Sequence, residues 1–335
     1  MSYFCVRRRM RQGVWNGYDA GHCGAVDGVG VVTLKAPFPY FGGKSRVAEY
    51  IWQRFGAVDN YVEPFFGSGA VLLGAPGKQL ETVNDKDAYI ANFWRALQHD
   101  PDAVAHYADW PVNENDQHAR HLWLVTHGWD SVERLNTDPD YYDAKVAGWW
   151  AWGMGTWIGS GWCKRPHLGN DGRGVHRQLP HLGNDGRANE KGGQLQVYMR
   201  ALADRLRDVR VCCGDWSRVC GPSVTFKHGL TAVFLDPPYG DVGRQPDLYG
   251  QDDLDVAQKV SLWARENGDN PLLRIAVAGY EGEHDLPGWY VFRWKTAGGF
   301  ALQGSNADVN RKREAIWFSP YCQALTLFEL AEVEE

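Results

Sequence analysis

The stretch "TAVFLDPPYGD", residues 231–241, restricts the fold more than any other. Five strand-forming residues, 231–235, run straight into Asp236, Pro237, Pro238 and Tyr239. Neither proline has an amide hydrogen, and each holds the residue before it extended, so the chain continues neither as a ladder nor as a helix. An apolar run of this kind is a buried strand of an α/β sheet. In open sheets of that class, ligands sit beyond the carboxyl ends of strands, where the strand order reverses. The stop therefore brings a carboxylate, main-chain carbonyls and an aromatic ring to a crevice. That set suits a planar base bearing an exocyclic amine: Asp236 and the Pro237 carbonyl accept its two N–H bonds while Tyr239 stacks on the ring. Two such acceptors draw the nitrogen toward a pyramidal geometry and stabilise the positive charge that develops as an electrophile attaches.

The flanking sequence supplies the sheet. "KAPFPYFGGKSRVAEYIWQRF" is a Pro- and Gly-rich turn feeding a helix with Val47, Tyr50, Ile51 and Phe55 on one face. "DNYVEPFFGSGAVLL" reads as strand, glycine turn and helix start, and "LETVND" as a second strand. Tyr89, Ile90, Phe93, Trp94 and Leu97 then recur at helical spacing. This βαβα opening predicts a parallel sheet. Later come a helix with Leu195, Tyr198, Leu202, Leu206 and Val209, a strand before "CGDW", a helix in "DLDVAQKVSLWAREN", and strands at "LLRIAVAGY", "GWYVFRWK" and "REAIWFS". With no helix between the final two strands, an antiparallel hairpin closes a mostly parallel, Rossmann-like sheet. The predicted catalytic domain covers 36–100 and 195–320, residues 1–35 form a flexible leader or basic arm, and 321–335 an acidic tail.

Composition narrows the setting. With 335 residues, 44% hydrophobic and 23% charged, the chain is globular and long enough for one large domain with an insertion. A net charge of -6 argues against non-specific coating of nucleic acid and leaves room for a local basic face. Seven scattered cysteines without a CxxC pair are read as reduced thiols in a cytoplasmic protein, and no apolar run approaches the roughly 18 residues of a membrane span.

A second ligand seat is expected at "EPFFGSGAV". Gly67 and Gly69, with Ser68 between them, let the backbone approach a ligand, and the helix that follows offers free amides. Asp85, at the end of the next strand, is placed to bridge ribose hydroxyls. Glu63, followed by Pro64 and Phe65, is a second acid able to reach a cofactor. The third glycine of a dinucleotide fingerprint is missing, which favours S-adenosylmethionine over NAD. "PYFGGKS" is not a P-loop, because Phe38 stands where that pattern requires glycine. Asp215 either accepts a hydrogen bond from the cofactor's adenine amine, with Trp216 packed beside the ring, or caps a helix at the strand end.

Regular patterning fails from about 101 to 193. Here "PHLGNDGR" occurs twice, starting at 166 and at 180, beside the cluster "GWWAWGMGTWIGSGW". Trp149, Trp150, Trp152 and Trp157 are read as core of an inserted module rather than as a base-stacking platform. Lys164, Arg165, Arg173, Arg177, Arg187, Lys191 and Arg200 make the segment locally basic, as a DNA-facing loop should be. Arg173 and Arg187 reach either guanine or phosphate. Cys163, His167, His176 and His181 match no familiar zinc spacing, so no metal is expected.

The ordered series "PYFGGK", "EPFFGSGAV", "ND", a long insertion, "GDW", "DPPY" resembles the Dam-type, particularly phage-encoded, adenine-specific DNA methyltransferases over roughly residues 37–320. The resemblance implies a class I methyltransferase fold with S-adenosylmethionine as methyl donor. Tyr40 and Lys44, with Phe41, Gly42 and Gly43, would hold the cofactor from the N-terminal side. Gly67 and Gly69 would form its turn, Asp85 would take its ribose and Asp215 its adenine, and residues 236–239 would receive an adenine extruded from double-stranded DNA. Target recognition would lie in the inserted module, 101–194. A monomer in a bacterial or phage-infected cell is implied. Cytosine N4, RNA and a catalytically inactive DNA-binding relative remain the alternatives; Asp236, where serine or asparagine would otherwise stand, favours adenine.

Overall fold

The computed structural model describes residues 34–40, 43–127, 130–138, 140–157, 161–163, 194–238, 251–294 and 314–324. Among the described residues seven strands form one sheet: β1 (Asn60–Glu63), β2 (Leu80–Asp85), β3 (Arg210–Cys213), β4 (Thr231–Leu235), β5 (Leu273–Tyr280), β6 (Tyr290–Arg293) and β7 (Glu314–Phe318). Their order is β3-β2-β1-β4-β5-β7-β6. The first five strands are parallel, with Asn60 level with Leu80 on one side and Thr231 on the other. Strand β7 runs antiparallel to both β5 and β6. A mostly parallel sheet with an antiparallel pair at its C-terminal side is therefore present, as the sequence predicts.

Both faces of the sheet are covered, so all five residues of β4 are buried. On one face Val62, Val233, Leu235 and Ile275 pack with Val260 and Ala264 of α9 (Gln251–Asn267). Each such buried aliphatic side chain contributes about 1.5–3 kcal/mol. Alternation places Tyr61 on the opposite face, against Trp52 and Phe55 of α1 (Ala48–Phe55) at ring-centroid distances of 4.9 and 6.3 Å. Val47, Tyr50, Ile51 and Phe55 are all buried, as their spacing requires. The same holds for Tyr89, Ile90, Phe93, Trp94 and Leu97 in α3 (Ala88–His99), which Asp87 caps by accepting from the Tyr89 amide. In α8 (Gln194–Leu206), Leu195, Tyr198, Leu202 and Leu206 are buried.

The expectation that regularity fails from residue 101 is overturned for the first half of that segment. Among its described residues are four helices: α4 (Pro101–Ala108), α5 (Glu114–His127), α6 (Asp130–Thr137) and α7 (Ala144–Thr156). The sequence hides α7 because Gly148, Gly153 and Gly155 carry poor helix propensity. Close packing offsets that cost: a Cβ at Gly148 would lie 2.5 Å from Cβ of Tyr107 and 2.7 Å from the Val104 carbonyl, so only glycine lets α7 sit this close to α4. Trp150 and Trp152 are buried within this helical layer. Arg120 enters the same layer between the rings of Trp110, Trp149 and Trp152, 4.3 to 5.1 Å from their centroids. There its charge is held by aromatic faces.

Candidate active site

The order of strands puts the topological switch between β1 and β4, whose carboxyl ends face the same edge. Glu63, Asp85 and Asp236 stand at or just past the ends of β1, β2 and β4, and Asp215 follows β3. Three neighbouring strands thus deliver three acids to one rim.

The glycine turn between β1 and α2 (Ala70–Leu73) is built by conformation and by proximity. Gly67 and Gly69 have φ of 48° and 70°, a region costly for residues with a Cβ. A Cβ on Gly67 would also stand 2.7 Å from the Tyr40 ring, so the "PYFGGK" segment lies directly over the turn. The Gly67 amide donates to Asp85 Oδ2 at 2.9 Å, and the Asp87 amide donates to Oδ1 at 2.9 Å. Trp94 Nε1 donates to the Gly67 carbonyl at 3.0 Å, pinning the turn to α3. The expected helix of free amides is a single turn of four residues, and the Gly67 amide is already engaged. Charge at this seat comes from Asp85 more than from a helix end.

Burial, with Asp87 adding repulsion, pushes the Asp85 carboxyl up to about 7. Glu63 is more enclosed: it accepts from the Tyr61 hydroxyl at 2.8 Å, and burial raises it well above the ordinary carboxylate range. Ser68 and Pro64 are buried as well. Phe65 stacks on Trp216 with centroids 6.0 Å apart and planes 27° from parallel. Asp215 adopts the capping alternative, accepting from the Ser217 amide at 3.0 Å at the start of a 3-10 turn. Its hydrogen bonds to Ser217 hold its carboxyl below the usual value.

Past β4, Pro237 is buried, and Asp236 is 20% exposed. The Lys44 ammonium, 3% exposed, lies 3.0 Å from each Asp236 carboxylate oxygen. Lys44, expected beside the cofactor, is held on the Asp236 carboxylate in this structure. The Trp294 ring, at the end of β6, faces the same ammonium with its centroid 5.8 Å away.

Phe41, Gly42 and Tyr239 lie outside the described residues, as do all six candidate DNA-contacting residues from Lys164 to Lys191. Arg200 is described, and it forms a bidentate pair with Asp102. Of the four residues weighed for zinc only Cys163 is described; it is buried, which pushes its thiol up. Among the described residues no cluster of three or more His, Cys, Asp or Glu side chains is placed to hold a metal ion. No helix among them is long and apolar enough to cross a membrane.

Three residues at this rim escape sequence reasoning. Asn84 Nδ2 donates at 3.0 Å both to the Pro64 carbonyl beyond β1 and to the Gly214 carbonyl beyond β3, tying three strand ends together. The "ND" dipeptide carries that signal, but attention falls on its acid. Trp294 and Glu314 reach the rim only because β7 inserts between β5 and β6, a pairing that no local pattern encodes.

No curated protein matches the chain. Residues 40–138 do match the family model of the D12 class N6 adenine-specific DNA methyltransferases, a range that holds the N-terminal turn, Glu63, the glycine turn and Asp85. It ends before Asp236, which the sheet itself brings to the same rim. With this match, this strand order and this set of acids, the chain is similar over residues 40–138 to the D12 class N6 adenine-specific DNA methyltransferases, a similarity that supports methylation of adenine N6 in DNA.

Proposed function

We propose that the rim binds S-adenosylmethionine over β1 and β2 and receives, at Asp236, an adenine extruded from double-stranded DNA. The residues present fit such a cofactor. Gly67 and Gly69 let the turn pass against Tyr40, Phe66 and Trp94, where a Cβ would clash, and Asp85 offers a carboxylate for ribose hydroxyls. The stacked Phe65 and Trp216 supply an aromatic wall, with Asp215 near it.

When bound, S-adenosylmethionine supplies a methyl group on a positively charged sulfur, which keeps the electron pair of the broken C–S bond. The chain's part is to position and polarise the acceptor. Asp236 and the Pro237 carbonyl take the two N–H bonds of the adenine amine, so its lone pair points toward the methyl carbon. As the N–C bond forms, positive charge grows on the nitrogen beside Asp236, and the proton leaves afterwards. Duplex stacking buries that amine, which makes extrusion a requirement of the geometry.

The observation that carries this reading is the Lys44 ammonium on Asp236. A nitrogen with N–H donors already occupies the position in which the substrate amine would donate, so the carboxylate is oriented and ready to exchange one donor for another. Lys44 then acts at the acceptor rather than as a cofactor contact. The module at 101–194 is read as the part that selects the DNA sequence, with the enzyme acting as a monomer. Incubation with tritiated S-adenosylmethionine and DNA from a methylation-deficient host tests this reading. Label in N6-methyladenine after digestion supports it, and label in cytosine, RNA or protein alone overturns it.

A further inference from the structure

The exchange at Asp236 leaves a buried ammonium to be placed, and among the described residues two side chains at the rim, Asn84 and Glu314, each hold a buried oxygen without a hydrogen-bond partner, of which only Glu314 is an acid. Glu314 opens β7, opposite Tyr280 at the end of β5. Because β7 is antiparallel, its first residue stands at the edge where the parallel strands end. Its Oε2 is buried and has no hydrogen-bond partner among the described residues. Its carbonyl accepts from the Trp294 amide at 3.4 Å, and the Trp294 ring faces Lys44. A buried acceptor in want of a donor ordinarily costs stability and has to be explained.

We propose that Glu314 is a positioning residue that takes over the Lys44 ammonium when the substrate amine takes its place on Asp236. This rests on the reading of Asp236 as the amine's acceptor. The chemistry requires such a group. Methyl transfer develops positive charge on the adenine nitrogen, and an ammonium still seated on Asp236 would oppose it at short range. Moving the ammonium onto a second carboxylate clears the acceptor and cancels the repelling charge. Burial raises the Glu314 carboxyl, the attraction of Lys44 lowers it and the repulsion of Asp236 raises it, so the cation and both acids act on one another at this rim.

Single-turnover transfer of tritiated methyl to DNA from a methylation-deficient host, with enzyme in excess, tests the assignment. Glu314→Gln keeps the shape and removes the charge. It should slow transfer by about tenfold or more while the KM for S-adenosylmethionine stays within about twofold. Glu314→Asp should recover most of the rate. In a Lys44→Met background, Glu314→Gln should cost little further, because Glu314 acts through Lys44. Should Lys44→Met alone abolish transfer, the comparison of Asp with Gln decides. Equal losses for Asp and Gln, a wild-type rate for Gln, or the same factor lost in both backgrounds would each overturn the proposal. Absence of label in adenine with the wild-type enzyme would instead reject the reading of Asp236 itself.

Discussion

Lys44 and Asp236, 192 residues apart in the chain, meet with the ammonium 3.0 Å from both carboxylate oxygens. One partner arrives on the loop before α1 and the other on the proline stop after β4, so the contact closes the rim from two directions. Asp236→Ala removes both the proposed acceptor for the adenine amine and the partner of a buried cation. Methyl transfer should fall by at least about a hundredfold, while the dissociation constant for S-adenosylmethionine changes little. The loss of the pair should also lower unfolding stability by about 2 kcal/mol, reduced from the fully buried case because Asp236 is partly exposed. Label incorporation, calorimetric cofactor binding and denaturant unfolding check the three parts, and a near-normal transfer rate would remove Asp236 from the reaction.

Gly67→Ala should damage the cofactor seat specifically. The new methyl group would stand 2.7 Å from the Tyr40 ring at a φ of 48°. Strain of about 1–3 kcal/mol is expected, relieved by displacing Tyr40 or the turn. Cofactor affinity should drop about tenfold or more by titration calorimetry. Alanine at Gly77, where a Cβ would meet nothing within 4 Å, serves as the control and should bind normally.

The raised Asp85 carboxyl predicts a pH dependence of binding. With a value of about 7 in the free enzyme, Asp85 becomes protonated as pH falls from 8 to 6, and a neutral carboxyl is a poorer acceptor for two ribose hydroxyls. The dissociation constant for S-adenosylmethionine should therefore rise across that interval. Asp85→Asn should bind weakly at both ends and show a flatter profile. An unchanged slope in the variant would assign the titration to another group.

His284 makes a prediction about stability. Its Nε2 donates to the Ala278 carbonyl at 3.1 Å, its Nδ1 lies 2.6 Å from Ser261 Oγ, and Trp317 packs edge-on at 5.0 Å. Burial lowers the ring to about 4, so the folded protein holds it neutral. A depressed histidine contributes its full stability above its unfolded value of about 6.5 and loses it as pH falls from there toward 4. The expected slope is about 1.4 kcal/mol per pH unit, on the order of 3 kcal/mol in all. Urea unfolding of the wild type and of His284→Gln at pH 7 and 4.5 isolates it. Parallel losses in both proteins would show that carboxylates, not this imidazole, set the acid limit.

Much of this architecture is legible in the sequence because local patterns and tertiary placement agree. Val47, Tyr50, Ile51 and Phe55 repeat at helical spacing and all face inward; Thr231–Leu235 reads as a fully buried strand and is one. Asp85 and Asp236 are visible because each ends a strand that a parallel sheet aligns. What stays hidden depends on partners distant in sequence. Helix α7 exists because Gly148 lets α4 approach, a benefit that appears in no propensity scale. The contact of Lys44 with Asp236 spans 192 residues, and only the fold shows it. Glu314 is one acid in "RKREAIWF" until the reversed strand carries it to the rim.

The Asn84 amide, shared between Pro64 and Gly214, makes the three strand ends a fixed frame before any ligand arrives. A seat assembled in advance loses little conformational freedom on occupation, so calorimetry of cofactor binding should return a small entropic penalty. Weakening that single brace would turn a ready-made socket into one the ligand must assemble for itself.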